Sequence, residues 1–181
     1  MPLPSQTDQD LRYPIGTFSL QADISPSQLE LAMQAIETLP EQLREAVSDL
    51  TDAQLDTPYR PGGWTVRQVV HHLADSHLNA YLRFRLALTE DEPTIKPYNE
   101  NAWAHLTDAE QAPLQPSLQM LEGLHTRWAL LLRSLTQAQL HRHFMHPENG
   151  LMRLDKTIGN YGWHSRHHLA HITHLCDRMG W

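Results

Sequence analysis

The stretch Thr157-Ile158-Gly159-Asn160-Tyr161-Gly162-Trp163-His164-Ser165-Arg166-His167-His168-Leu169-Ala170-His171-Ile172-Thr173-His174-Leu175-Cys176-Asp177-Arg178-Met179 reads as one long amphipathic helix. At about 100° per residue, its side chains Ile158, Tyr161, Leu169, Ile172, Cys176 and Met179 cluster in one direction. From the centre of that stripe His168 is roughly 40° away, His164 roughly 80°, His171 roughly 100° and His167 roughly 140°. The pair His164 and His168 is therefore expected to face a bundle interior. His167 and His174 are expected to face water, with His171 at the border. The helix should start near Asp155 or Thr157 and end near Met179, where Gly180 supplies a C-cap.

Working outward, three more long helices have matching signals. Ser25-Pro26-Ser27-Gln28 combines a hydroxyl cap, a first-turn proline and a glutamine three residues past the cap. Leu29, Met33, Ile36, Leu39, Leu43, Val47 and Leu50 then recur at helical spacing, with Pro40 as an expected kink or break. A loop with Pro58, Pro61, Gly62 and Gly63 precedes Thr65-Val66-Arg67-Gln68, a second capping box, and a helix to about Leu88. Glu92-Pro93 and Lys96-Pro97 mark a further loop, with a short helix near Asn99 to Leu106. A third long helix spans about Pro116 to Leu135, and Pro147, Asn149 and Gly150 mark the turn before the last. The prediction is an all-α four-helix bundle, up-down helices with long connecting loops, and no alternating run long enough for a sheet. Residues 1–24, with Pro2, Pro4, Pro14 and Gly16, are expected to form an extended N-terminal arm, and residues 25–181 a single domain.

A faint repeat runs through the chain. Leu50-Thr51-Asp52-Ala53-Gln54-Leu55 resembles Leu135-Thr136-Gln137-Ala138-Gln139-Leu140, and each precedes a Trp-bearing segment, with Trp64 and Arg67 corresponding to Trp163 and Arg166. It reads either as a recurring helix-start signal or as two helical hairpins related by pseudo-twofold symmetry.

Composition limits the function classes. The 181 residues, 40% hydrophobic, suffice for one domain with a real core. With 14 Lys and Arg against 21 Asp and Glu, a formal charge of −7, neither nucleic acid nor an anionic membrane is an expected partner. The lone Cys176 suits a reducing compartment, and neither a signal peptide nor a run of roughly 20 apolar residues is present, so a cytoplasmic address is expected.

The unusual count is 13 histidines. Two imidazoles four residues apart on a helix can grip one metal ion, and two such pairs occur, His164 with His168 and His167 with His171. On the second helix, His71, His72 and His77 compete. His77 falls inside the stripe of Val66, Val69, Val70, Leu73 and Phe84, whereas His72 lies roughly 120° from its centre. A lone inward histidine is more often a hydrogen-bonded core residue than a ligand. His105, His125, His141, His143 and His146 are assigned to that structural class, in or beside loops.

Long blocks of the sequence resemble the DinB-like superfamily, and within it the YfiT-type metal-dependent hydrolases. They run from Tyr13-Pro14-Ile15-Gly16 through Gln54-Leu55-Asp56-Thr57-Pro58-Tyr59-Arg60 and the segment from Gly62 to His77, to Trp163-His164-Ser165, His167-His168 and Arg178-Met179-Gly180-Trp181. The resemblance implies a four-helix bundle, a cytoplasmic homodimer and one divalent ion per chain, zinc or nickel, held by His72, His164 and His168. Stripe geometry alone favours His77 over His72; the motif favours His72.

Three imidazoles leave an open coordination position, where a water loses a proton near neutral pH. Metal-dependent hydrolysis of a small-molecule substrate is the leading function. A low-molecular-weight-thiol S-transferase, which relatives in the superfamily exemplify, is the alternative. A non-catalytic metal-stabilised binding module is the third. Asp75 is weighed both as a carboxylate orienting an imidazole and as a solvated helix residue. Cys176, on the apolar face, is expected to pack rather than react.

Overall fold

Capping chemistry decides where this chain turns helical. The Ser25, Thr51, Thr65 and Thr136 hydroxyls each accept from the backbone N–H three residues on, at Gln28, Gln54, Gln68 and Gln139, and each glutamine side chain accepts from the cap's own N–H. The computed structural model describes residues 7–19 and 23–181. Among them the chain runs α1 (Asp8–Arg12), α2 (Pro26–Val47), α3 (Asp52–Leu55), α4 (Val66–Thr89), α5 (Glu100–Ala104), α6 (Thr107–Gln111), α7 (Gln115–Arg133), α8 (Gln137–Leu140), β1 (His143–His146), β2 (Gly150–Arg153) and α9 (Leu154–Met179). No helix among the described residues is long and apolar enough to cross a membrane.

Helix α2 continues through Pro40, because Ile36, Leu39, Leu43 and Val47 on either side are all buried and hold the helix on course. Gly180, at φ 70°, ends α9 in the left-handed region, as the sequence predicts. Two expectations need correction. The arm is not wholly extended: Thr7 and Asp10 form a capping box that starts α1, while Pro2, Pro4 and the rest of residues 1–6, with 20–22, lie outside the described residues. There is also a small sheet. β1 and β2 pair antiparallel, His143 opposite Arg153 and His146 opposite Gly150, in strands too short to leave a period-two signal.

Helix α2 packs on α9 and α7, and α4 packs on the same two, so the order around the bundle is α2, α7, α4, α9. At the α2–α9 contact the backbones approach so closely that a Cβ on Gly162 would lie 2.6 Å from Ala32. The core divides into two apolar clusters. One holds Leu39, Leu43, Val69, Leu73, Leu118, Leu121, Ile172 and Leu175; the other holds Ile36, Ala80, Phe84, Trp128, Leu132, Leu154 and Ile158. Chain order through the clusters gives the sense of each helix. α2 and α9 run one way, α4 and α7 the other, an up, down, down, up sequence that needs the long α4–α7 connection. Segments α2–α3–α4 and α7–α8–α9 are thus placed as a pseudo-twofold axis would relate them, but the two long helices of each lie diagonally across the bundle rather than side by side as a hairpin.

Between the clusters the four helices meet in a layer of histidines. His77 of α4, His125 of α7, and His164, His168 and His171 of α9 fall in the gap between apolar segments of their own helices, and His72 lies just before it, between Val70 and Leu73 of α4.

Candidate metal centre

Helix α4 turns its three histidines toward α7 and α9. His71 Nε2 donates to the Ala112 carbonyl at 3.2 Å and its Nδ1 accepts from Ser117 Oγ at 2.8 Å, which satisfies both nitrogens away from the layer. His72 Nε2 lies 3.3 Å from His164 Nε2. His77, fully buried, lies between His125 Nε2 at 2.9 Å and His164 Nδ1 at 3.1 Å.

The three residues nominated by the motif come together. Nitrogens of His72, His164 and His168 lie within 4.8 Å of one another, with His72 and His168 buried and His164 partly accessible. The donor set fits a divalent transition metal. Two nitrogens each about 2.05 Å from a tetrahedral ion are about 3.3 Å apart, the separation that His72 Nε2 and His164 Nε2 already have. Burial keeps these rings neutral, as a ligand must be. Desolvation, then the neighbouring His167, pushes His72 down to about 4. Desolvation first, and adjacent imidazoles second, hold His164 and His168 well below the ordinary histidine range.

A second trio shares one member: nitrogens of His167, His168 and His171 also lie within 4.8 Å. Here the helical arithmetic needs correction, because His167 is buried rather than wet. The N-terminal segment covers that face. Tyr13 packs on the His167 ring, His171 Nε2 donates to the Arg12 carbonyl at 3.1 Å, and Trp163, stacked on His167 at 4.3 Å, donates to Gly16 O. A helical wheel sees only the helix, and the cover arrives from more than 140 residues away in sequence.

His125 also departs from its expected place. It lies inside α7, 1% exposed, with Nδ1 2.6 Å from the Ile36 carbonyl. A signal was available, since His125 falls in register with Leu118, Leu121, Trp128 and Leu132, all buried on that helix. Asp75 is neither fully solvated nor bonded to an imidazole among the described residues. Burial, then Asp108, raises its carboxyl to about 6. Cys176 packs against the core and its thiol is raised by burial, as expected of an inert cysteine.

Around the trio, Trp64 stands over two rings, 4.7 Å from His72 and 6.4 Å from His168, and its Nε1 donates to Asn101 Oδ1. On the other side, the Tyr161 ring lies 5.6 Å from His164, and its hydroxyl accepts from Arg83 at 3.5 Å.

With this geometry in hand, comparison with known proteins is specific. A family model described as the DinB superfamily matches residues 35–172. The chain belongs to the DinB superfamily. Among its relatives is "Putative metal-dependent hydrolase YfiT" of Bacillus subtilis (strain 168), 52% identical over 176 residues, which is 97% of this chain and 99% of that one. A "Putative metal-dependent hydrolase" of Bacillus cereus (strain 03BB102) is 55% identical over 172 residues, 95% of this chain and 99% of its own. The solved structure of YfiT from Bacillus subtilis, described as "a probable metal-dependent hydrolase with an unusual four-helix bundle topology", superimposes with a TM-score of 0.91 at 53% identity, covering 95% of this chain and 99% of that one. The four-helix bundle expected from periodicity is thus the fold of this DinB superfamily member.

Proposed function

We propose that the chain is a metal-dependent hydrolase acting on a small-molecule ester, amide or phosphoester, with one zinc or nickel ion held by His72, His164 and His168 in the bundle formed by residues 25–181. The observation that carries this reading is the 3.3 Å approach of His72 Nε2 to His164 Nε2, with His168 in the same cluster. Among the described residues no fourth donor joins that group. Three protein donors leave a position for water or substrate, the pattern of catalytic rather than structural sites. An ion so held supplies Lewis acidity and lowers the pKa of an adjacent water.

The chain's own residues supply the surroundings. Neutral imidazoles offer lone pairs at neutral pH without first shedding protons. Trp64, held by its hydrogen bond to Asn101, covers the His72 and His168 rings on one side. Tyr161, with Arg83 on its hydroxyl, places a hydrogen-bonding and cationic neighbour beside His164 for a substrate oxygen. The reading extends to a cytoplasmic homodimer, supported by the family resemblance and by the lone packed Cys176.

The test is elemental analysis of untagged protein purified without added metal. About one equivalent of zinc or nickel per chain is expected in the wild type. In His168→Ala it should be largely lost while the helical circular-dichroism signal persists. A wild type that refuses added metal, or a variant that keeps its ion, overturns the site. Ester, amide and phosphoester probes, with and without added thiol, then separate hydrolysis from thiol S-transfer: a hydrolase turns over in both.

A further inference from the structure

The imidazoles around the trio are wired in a direction that backbone carbonyls dictate. A carbonyl can only accept, so His125 Nδ1, 2.6 Å from Ile36 O, carries the hydrogen. In a neutral ring Nε2 is then a lone pair, and His77 Nδ1, 2.9 Å away, must donate to it. His77 Nε2 is left as an acceptor, and His164 Nδ1 at 3.1 Å donates in turn. The chain ends with the His164 Nε2 lone pair pointing at the trio. A second, shorter chain starts at Arg12 O. His171 Nε2 donates to it at 3.1 Å, so His171 Nδ1 accepts, and His168 Nδ1 at 3.3 Å donates. His168 is left with its lone pair on Nε2.

We infer that the two relays, Ile36 carbonyl–His125–His77–His164 and Arg12 carbonyl–His171–His168, lock two of the three metal-facing histidines in the Nδ1–H tautomer, which makes His77, His125 and His171 positioning residues for the site. The inference rests on the metal reading proposed above. Its physical content is preorganisation: a free histidine in water favours the opposite, Nε2–H form, and a ring in that form must exchange its proton before Nε2 can bind. Orienting partners of this kind are typically worth about 10–100-fold in metal affinity. His72 is the exception. Its Nε2 meets an Nε2 of His164 that the first relay has stripped of hydrogen, so in the metal-free protein His72 supplies that hydrogen and gives it up when an ion enters. The same logic accounts for His171, whose two nitrogens are both committed, as an orienting ring rather than a ligand of a second ion.

The experiment is long-range 1H–15N correlation NMR on the full chain with 15N-labelled histidine, metal-free and zinc-loaded. In the metal-free protein His77, His125, His164 and His168 should carry hydrogen on Nδ1 and His171 on Nε2. On zinc loading His164 and His168 should keep their tautomers while His72 moves its hydrogen from Nε2 to Nδ1. Zinc bound by a protein whose metal-free His164 or His168 is in the Nε2–H form overturns the relays and leaves the metal site standing. The stated tautomers in a chain that takes no zinc overturn the metal site, and with it the positioning role. Zinc affinity by chelator competition gives the second readout. His125→Phe, which breaks the first relay, should weaken binding about 10–100-fold. His125→Gln, whose amide can both donate to Ile36 O and accept from His77, should restore it to within a few-fold. Equal affinities in these two variants overturn the relay whatever their stabilities.

Discussion

The two halves of the bundle, residues 26–89 and 115–179, repeat one plan with different chemistry. Each has a long helix, a one-turn helix capped by a Thr and Gln pair, and a second long helix with a tryptophan, Trp64 just before α4 and Trp163 inside α9. Yet Arg67 is 5% exposed and bridges Asp52, Asp56 and the Ala112 carbonyl, whereas its counterpart Arg166 is exposed. Trp64 stands over His72 and His168, whereas Trp163 stacks on His167 beneath the N-terminal segment. The first half offers one candidate ligand and the second two. Repeated local sequence gives repeated local structure, while the site's chemistry is carried by positions that do not repeat.

The comparison breaks most readily at adjacent residues of the first half. His72→Ala should empty the site as completely as His168→Ala does from the second half, by elemental analysis. His71→Ala should keep its ion and lose about 1–3 kcal/mol of stability in urea melts, because the Ser117 hydroxyl and Ala112 carbonyl lose their partner. If His71→Ala empties the site instead, the ligand assignment on α4 is wrong.

A second effect is weighted toward the second half. Burial holds His125 and His167 down to about 4 and His171 to about 3, and in the first half it holds His72 to about 4 and also lowers His71 and His77. An unfolded histidine titrates near 6.5. Between that value and the folded ones the unfolded chain binds protons that the native chain does not. The stabilisation is therefore complete above about pH 6.5 and is lost progressively as pH falls toward 4. Thermal melts of the metal-free protein should show a Tm falling through this window; a Tm flat from pH 7 to 4.5 contradicts the buried, neutral layer.

The smallest expected difference sharpens the repeat itself. Arg67→Ala removes charge-assisted bonds made by a buried side chain to carboxylates that are themselves largely exposed, and should cost about 1–3 kcal/mol. Arg166→Ala, at the repeat-equivalent position, should stay within about 0.5 kcal/mol. Equal costs, read by denaturant melts, would mean that the two halves match in energetics as well as in outline.

Much of the helical frame was legible because its signals are local. The Ser25/Gln28 and Thr65/Gln68 boxes and the Gly180 cap act within a turn, so the ends of α2, α4 and α9 follow from neighbouring residues. The inward turn of His164 and His168 follows from the same helical arithmetic. The hairpin at β1 and β2 was not legible, since four-residue strands are recognisable only once paired. His72 illustrates the limit most sharply. A stripe on α4 points to His77, and His77 is indeed the more deeply buried, but burial does not separate a ligand from an orienting ring.

By itself, then, the sequence determined helix positions, their amphipathic faces, an acidic net charge of −7, and a family motif naming three histidines. The tertiary structure alone decided which nitrogen meets which. It brought Arg12 to His171, Ile36 to His125 and His125 to His77 across 159, 89 and 48 residues, and it covered His167 with Tyr13. The physical reason is that hydrogen-bond direction and burial belong to the neighbourhood of a side chain, and here that neighbourhood is assembled from α2, α4, α7, α9 and the N-terminal segment together.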